Sequence, residues 1–530
     1  MNPAKPHPPA PDVERLNFWT KLSYGTGTIG TSLTGSILAF FFMFFLTDVA
    51  GLPAAWAGSV LMIGQISDAI SDPIIGLWSD RTKSRWGRRY PWILAGAVPF
   101  GLSFLLLWLI PSNSNWLLFV YYVVIGIVFK TAFTAVYLPY VSLTPDLTQG
   151  YHERTSLNSF RFTFSIGSSI LALALVGVIF DQVEDLNTRY LVVGAMGAVL
   201  CIVPLYLCVW GTHRRVLAAE RRYAQTPRPA PLALTQQVRI AFSNRPFLLV
   251  MGIYLCSWLA AQMTAVVMQY FVVSWMNLSA QIFTYFALTV QGTALSMLFV
   301  WSFLSQRVGK KVVYFLGVSL WIIAQGGLFF LQPGQVSLMF ALGVMAGFGV
   351  STAYLVPWSM LPDVIELDEL KTGQRREGVF YAFMVMVQKV GLAIGIFLVG
   401  QVLSWAGYVE RIPGEPSPVQ PASALLVIRL AIGPIPTLLL ILGLVLAYFY
   451  PISRELYAKI LLRLSQRRLR QQRSVEHCFG QDSHQQDGQI TASPEADRPE
   501  TSPEKNRHPG TDRPFLNDDE PTADAPVQSD

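Results

Sequence analysis

Asp68 and Asp72 stand four residues apart in GQISDAISDP, inside an apolar stretch at about residues 55–78. On a helix this spacing puts both side chains on one face, about one turn apart. Two carboxylates that close repel one another unless a cation or a proton lies between them. The pair therefore suggests a cation site, against the plainer reading of two acids salt-bridged to other helices. Pro73 follows at once and removes a backbone hydrogen bond, so a local kink is expected. Lys389 lies in a second apolar stretch, FMVMVQKVGLAIG, too far from either end to reach water easily. It needs a carboxylate partner, and inventory points to Asp68 or Asp72. With one monovalent cation bound, the local charges −2, +1 and +1 would sum to zero.

Lys130 lies in a third apolar stretch, IGIVFKTAFTAVYLPY, with Tyr137 two turns on along the same face. Arg161 opens a fourth, in SFRFTFSIGSS. Two cations facing one cavity would suit a substrate bearing a carboxylate, sulfate or phosphate. The alternatives are an interfacial anchor for Arg161 and pairing with Asp68 or Asp72 for Lys130. Charge inside a bilayer costs about 2.5–3.5 kcal/mol per residue, so each of these residues is a functional candidate.

Other chemistry is excluded. All six histidines fall outside the apolar stretches, which removes the ligands for haem or a histidine-bound metal. There is no G-x-x-x-x-G-K-[ST] and no H-E-x-x-H. The four cysteines form no C-x-x-C pair. The chain reads as no enzyme, with no cofactor beyond a coupling cation, Na+ or H+.

The elements that hold these residues are apolar helices. Of 530 residues, 52% are hydrophobic and 14% charged, against about 25% charged in a soluble domain. The mean hydropathy is +0.41. Blocks of about 20 apolar residues are each long enough to cross a bilayer. Twelve spans are expected, at roughly 21–49, 55–78, 91–111, 116–142, 158–180, 190–210, 246–275, 280–304, 312–331, 336–361, 378–407 and 428–450. The fold class is all-α integral membrane, with two six-helix bundles (17–213 and 246–452) joined by a basic linker at 214–245. Lysine and arginine crowd alternate loops, from Arg81–Arg89 through Arg154, Arg214–Arg222 and Arg307–Lys311 to Lys371–Arg376. That bias puts both termini in the cytoplasm of a plasma-membrane protein. Residues 1–16 form a polar, proline-rich cytoplasmic N-terminal segment without a cleavage pattern, 453–474 a basic juxtamembrane helix, and 475–530 a disordered tail. The net charge of +6 sits in these loops and not in one stripe, so nucleic acid is not expected as a partner.

After the second span the chain reads G-x-x-x-D-R-x-x-x-x-x-G-R-R, through Gly76, Asp80, Arg81, Gly87, Arg88 and Arg89, with a diluted echo, FLSQRVGKK, after the eighth. Its acid and bases suit a gating latch between helix ends. This loop resembles the signature of the major facilitator superfamily. More narrowly, TDVAGL, SDAISDPIIGLWSDRTKSRWGRRYPWI and PDVIELDELKTGQRREG resemble the glycoside-pentoside-hexuronide:cation symporters, of which melibiose permease is one. The resemblance covers roughly residues 17–452 and implies alternating access. It implies a cation site at Asp68 and Asp72, the family's lysine at Lys389 and its arginine at Arg161. The sugar-binding carboxylates of melibiose permease fall on Ser32 and Tyr137, and its stacking tryptophans on Val141 and Tyr354. VPWSMLPDVIE is also similar to the sodium-dependent lysophosphatidylcholine carriers. The expectation is a monomeric, cation-coupled symporter in contact with membrane lipid. Its substrate is a small solute, a sugar, glycoside or uronide, with a lysophospholipid or other anionic amphiphile as the alternative.

Overall fold

The computed structural model describes residues 16–82, 84–148, 151–223, 234–373, 376–410 and 418–467. Among these there is no strand, and everything regular is helical. Ten helices are long and apolar enough to cross a membrane. In chain order the helices are α1 (Phe18–Thr26), α2 (Ile29–Ile37), α3 (Ala54–Arg81), α4 (Tyr90–Leu106), α5 (Asn115–Val141), α6 (Leu143–Leu147), α7 (Tyr151–Gln182) and α8 (Leu186–Tyr223). They continue with α9 (Leu234–Ser243), α10 (Arg245–Tyr270), α11 (Ala280–Val308), α12 (Lys310–Phe330), α13 (Val336–Thr372), α14 (Glu377–Trp405), α15 (Ala422–Ile432) and α16 (Pro434–Phe449). The expected juxtamembrane helix is helical over 454–467, and its last residues, like the tail and the N-terminal segment to 15, lie outside the described residues.

Three expected spans differ in form. The first is broken at Gly27–Thr28 and then widens into π-helical turns at Leu38–Phe42 and Phe45–Val49. The third, α4, is 17 residues long and stops at Leu106. The twelfth is split at Gly433, followed by Pro434, into α15 and α16. The seventh, α10, ends as the first does, in a π-helical turn at Phe271–Trp275. The closing bonds match: Ala50 N–H donates to Phe45 O at 2.8 Å and Met276 N–H to Phe271 O at 2.9 Å. The opening crossing of each half thus ends in the same wide turn, a mark of internal repetition.

Helix ends follow local chemistry. Asn244 caps α10 by accepting from Phe247 N–H at 3.1 Å, and Ser279 caps α11 through Ile282 N–H at 3.3 Å. Gly309, at φ +91°, makes the sharp turn from α11 to α12 that an L side chain resists. In the N-terminal half α3 packs on α5, α4 on α5 and α8, and α2 on α7. In the C-terminal half α12 and α11 pack on α13, and α10 on α16. The halves meet along α3 and α14, α7 and α11, and between Leu38–Phe42 and α10. At the first of these a Cβ on Gly58 would come within 3.1 Å of Gly400 Cα, so both positions must lack a side chain.

Candidate cation site and gates

The midpoint of α3 carries Asp68 and Asp72 towards α5 and α14. Lys389 of α14 reaches across the interface between the halves, its Nζ 2.9 Å from Asp68 Oδ2 and in direct contact with Asp72 Oδ2. Thr134 of α5 joins the opposite side of the pair. Its Oγ1 lies 2.9 Å from Asp68 Oδ1 and 3.0 Å from Asp72 Oδ1, with Ser71 Oγ 3.5 Å away. Lys130, one turn before Thr134, places Nζ 3.9 Å from Asp68 Oδ2 and 3.2 Å from Gln65 Oε1. Asp68 is buried, its side chain 4% exposed, while Asp72, Lys130 and Lys389 are partly so. The arrangement holds two carboxylates and two ammonium groups within one turn of α3. It can exchange a small cation or a proton, and it ties the halves together.

A second polar cluster lies at the end where the cation-poor loops emerge. Asp48, buried at the end of the first crossing, accepts from Tyr408 at 2.8 and 3.0 Å and from Thr47 at 2.6 Å. Thr47 Oγ1 is 2.7 Å from the Tyr270 hydroxyl. Around it pack Phe44, Phe45, Trp108, Tyr122 and Tyr190, with Gln269 Nε2 donating to Tyr190 at 3.3 Å. Glu410 accepts from Ala54 N–H at 3.0 Å, again across the halves.

The profile of the MFS/sugar transport protein family matches residues 23–454. The chain belongs to that family. It is a multi-pass membrane transporter and not an enzyme. It is 49% identical over 534 residues to an uncharacterized symporter, sll1374, of Synechocystis sp., covering 86% of this chain and 98% of that protein. It is 26% identical over 489 residues to the sodium-dependent lysophosphatidylcholine symporter 1 of Xenopus tropicalis, covering 86% of this chain and 91% of the relative. Among solved structures the nucleoside transporter NupG superposes with a TM-score of 0.58 at 13% identity, over 82% of this chain and 100% of that one. That likeness concerns the fold.

Elsewhere in this transporter the sequence candidates are dispersed. Ser32 Oγ is 2.7 Å from Ser165 Oγ, joining α2 to α7. Arg161 lies over the Phe162 ring at 5.0 Å. Tyr137 stacks on Phe133 at 5.3 Å, and Lys130 lies 5.9 Å from the same ring. Tyr354 meets Trp258 edge-on at 5.5 Å, in a run of rings continuing through Tyr254, Trp358 and Tyr381. Lys130 therefore stands in the acid cluster, the pairing left open by its sequence, and the other four stand apart from it.

In the loop after α3, Arg89 is buried with Nη2 3.6 Å from Asp80 Oδ1. Gly87 turns at φ +89°, Arg88 is half-buried, and Arg81 is exposed. A Cβ on Gly76 would meet Leu138 at 3.9 Å, an ordinary contact. Asp80 thus braces its own half. The echo in the other half is tighter: Lys310 Nζ bonds Asp363 at 2.6 and 2.8 Å and Ser359 O at 2.7 Å. Sequence reasoning missed Asp48, Thr134, Gln65 and Asp363 as site residues. A threonine one turn beyond Lys130 on the same face, and an acid closing the apolar run FFFMFFLTD, were the available signals.

Proposed function

We propose that this chain is a secondary active symporter with twelve spans in two six-helix bundles and cytoplasmic termini. It carries a small solute, a sugar, glycoside or uronide, by alternating access. The observation that supports this reading is the contact of Lys389 with Asp68 and Asp72 across the interface between the halves. A cation site placed there changes the adhesion between halves whenever its occupancy changes, so differential affinity of the two facings can carry the coupling. Each positive charge moved inward gains about 2.3 kcal/mol per 100 mV. That supports roughly 50-fold accumulation per charge, since about 1.4 kcal/mol is tenfold.

The cation-rich loops assign the cytoplasmic side. The Asp48–Tyr408, Thr47–Tyr270 and Ala54–Glu410 contacts then lie on the outer side and close it. Arg161, Tyr137, Ser32 and Tyr354 remain candidates for the substrate cavity.

The lysophospholipid alternative keeps one specific support, the sodium-dependent lysophosphatidylcholine symporters among the relatives. Thermal stability of the purified protein against sugars, uronides and lysophospholipids, each with and without sodium and at several pH values, separates the two. Ligand binding to the native state raises stability by mass action. A hit with a sugar or uronide supports the first reading and a lysolipid hit the second. Cation-driven uptake retained in the Asp68→Asn/Asp72→Asn variant would overturn the cation-site assignment in either.

A further inference from the structure

Taken with both acids ionised and both lysines protonated, Asp68, Asp72, Lys130 and Lys389 already sum to zero. Each Oδ2 is paired with Lys389, with Lys130 beside Asp68, and the two Oδ1 atoms share the single hydroxyl proton of Thr134. A free sodium ion entering this set would raise it to +1 in a low-dielectric setting, an expensive state. The Lys130 stem runs past Gly64 of α3, where a Cβ would make an ordinary contact with Lys130 Cγ at 3.9 Å. Gln65 then accepts from the ammonium.

We propose that the Lys130 ammonium is a cation tethered into this site, standing where a free metal ion would otherwise balance the acids, so that the site takes up no free sodium while Lys130 is in place. This rests on the symport reading above and restricts its ion. The charged groups facing Lys130 are Asp68 and Asp72 from α3 and Lys389 from α14. The sequence of α4, the other long helix packed on α5, holds no charged residue, and α6 brings only Asp146, beyond the end of α5.

The test is equilibrium binding of radioactive sodium to the purified full chain near neutral pH. The wild type should show no saturable sodium binding. Lys130→Met, which leaves the acids with one ammonium, should bind sodium saturably, on the order of 100-fold more tightly than any residual wild-type binding. Adding Asp68→Asn should abolish that binding, and Lys130→Arg, which keeps the charge, should not acquire it. Lys130→Gln replaces the methionine variant if the latter does not fold. Saturable sodium binding by the wild type, removed by Asp68→Asn, would overturn the tethered-cation proposal while leaving a cation-coupled symporter standing. Absence of sodium binding in a folded Lys130→Met or Lys130→Gln protein would also overturn it. The symport reading itself fails separately, on the double-aspartate uptake experiment.

Discussion

At the scale of single residues, Thr134 is the neutral group on which two acids converge. Its one hydroxyl proton faces two carboxylate oxygens at 2.9 and 3.0 Å, so the two acids share a single neutral donor. Thr134→Val keeps the shape and removes the donor. A buried acceptor left unpaired costs about 1–3 kcal/mol, so the variant should melt earlier and lose roughly tenfold or more in cation-dependent uptake. Thr134→Ser should restore most of both, which a packing defect alone would not allow. Lys389→Ala is the harsher case. It strips the shared ammonium from both acids, and breaking a buried pair from one side costs about 3–5 kcal/mol. Differential scanning fluorimetry should show that loss, and Lys389→Ala/Asp72→Ala should recover part of it. The site was half legible in the sequence. The depth of Lys389 demanded an acid, and Asp68 and Asp72 were there to meet it. Lys130 was ambiguous because helical spacing tells which residues share a face and not which helix that face meets. Thr134 carries no charge and so gave no cost signal at all.

Among elements, hydropathy located the helices because a bilayer imposes about 20 apolar residues per crossing. It was blind to their breaks. The phenylalanine run at 40–45 is apolar whether it forms α or π turns, and the split of the last crossing hangs on Gly433 and Pro434. Asp48 was overlooked for a related reason: at the end of a span an acid reads as solvated, and only the tertiary packing of Tyr408 and Tyr270 buries it. The contact between α3 and α14 follows from two glycines 342 positions apart. A Cβ on Gly400 would lie 2.5 Å from Ala54 O and 2.9 Å from Gly58 Cα, backbone atoms that cannot swing aside. Gly400→Val should therefore force these helices apart at their closed end, with overpacking of about 1–3 kcal/mol. A lowered melting temperature, together with new reactivity of a cysteine placed at Tyr408 towards a water-soluble maleimide, would register it. Unchanged melting would mean that the close approach is not a feature of the stable state.

For the whole molecule, the closed end is held at places that must separate if access alternates. One of these can be pinned covalently. At the crossing of α7 and α11, a Cβ on Gly177 would lie 3.4 Å from Thr284 Cγ2, so a sulfur at position 284 would stand close to one at position 177. The cysteines at 201, 208 and 256 are buried and free, and Cys478 lies in the segment beyond residue 474. The family match ends at residue 454, so deleting 475–530 should leave uptake intact and remove the remaining thiol. In that shortened chain, Gly177→Cys/Thr284→Cys should transport when reduced and stop when oxidised. Each single variant should be indifferent to oxidant. Both facings interconvert in every transport cycle if access alternates, so a bond across one closed end arrests the cycle wherever the substrate binds. Full uptake by the oxidised double variant, with the cross-link verified by mass spectrometry, would show that α7 and α11 stay together throughout transport.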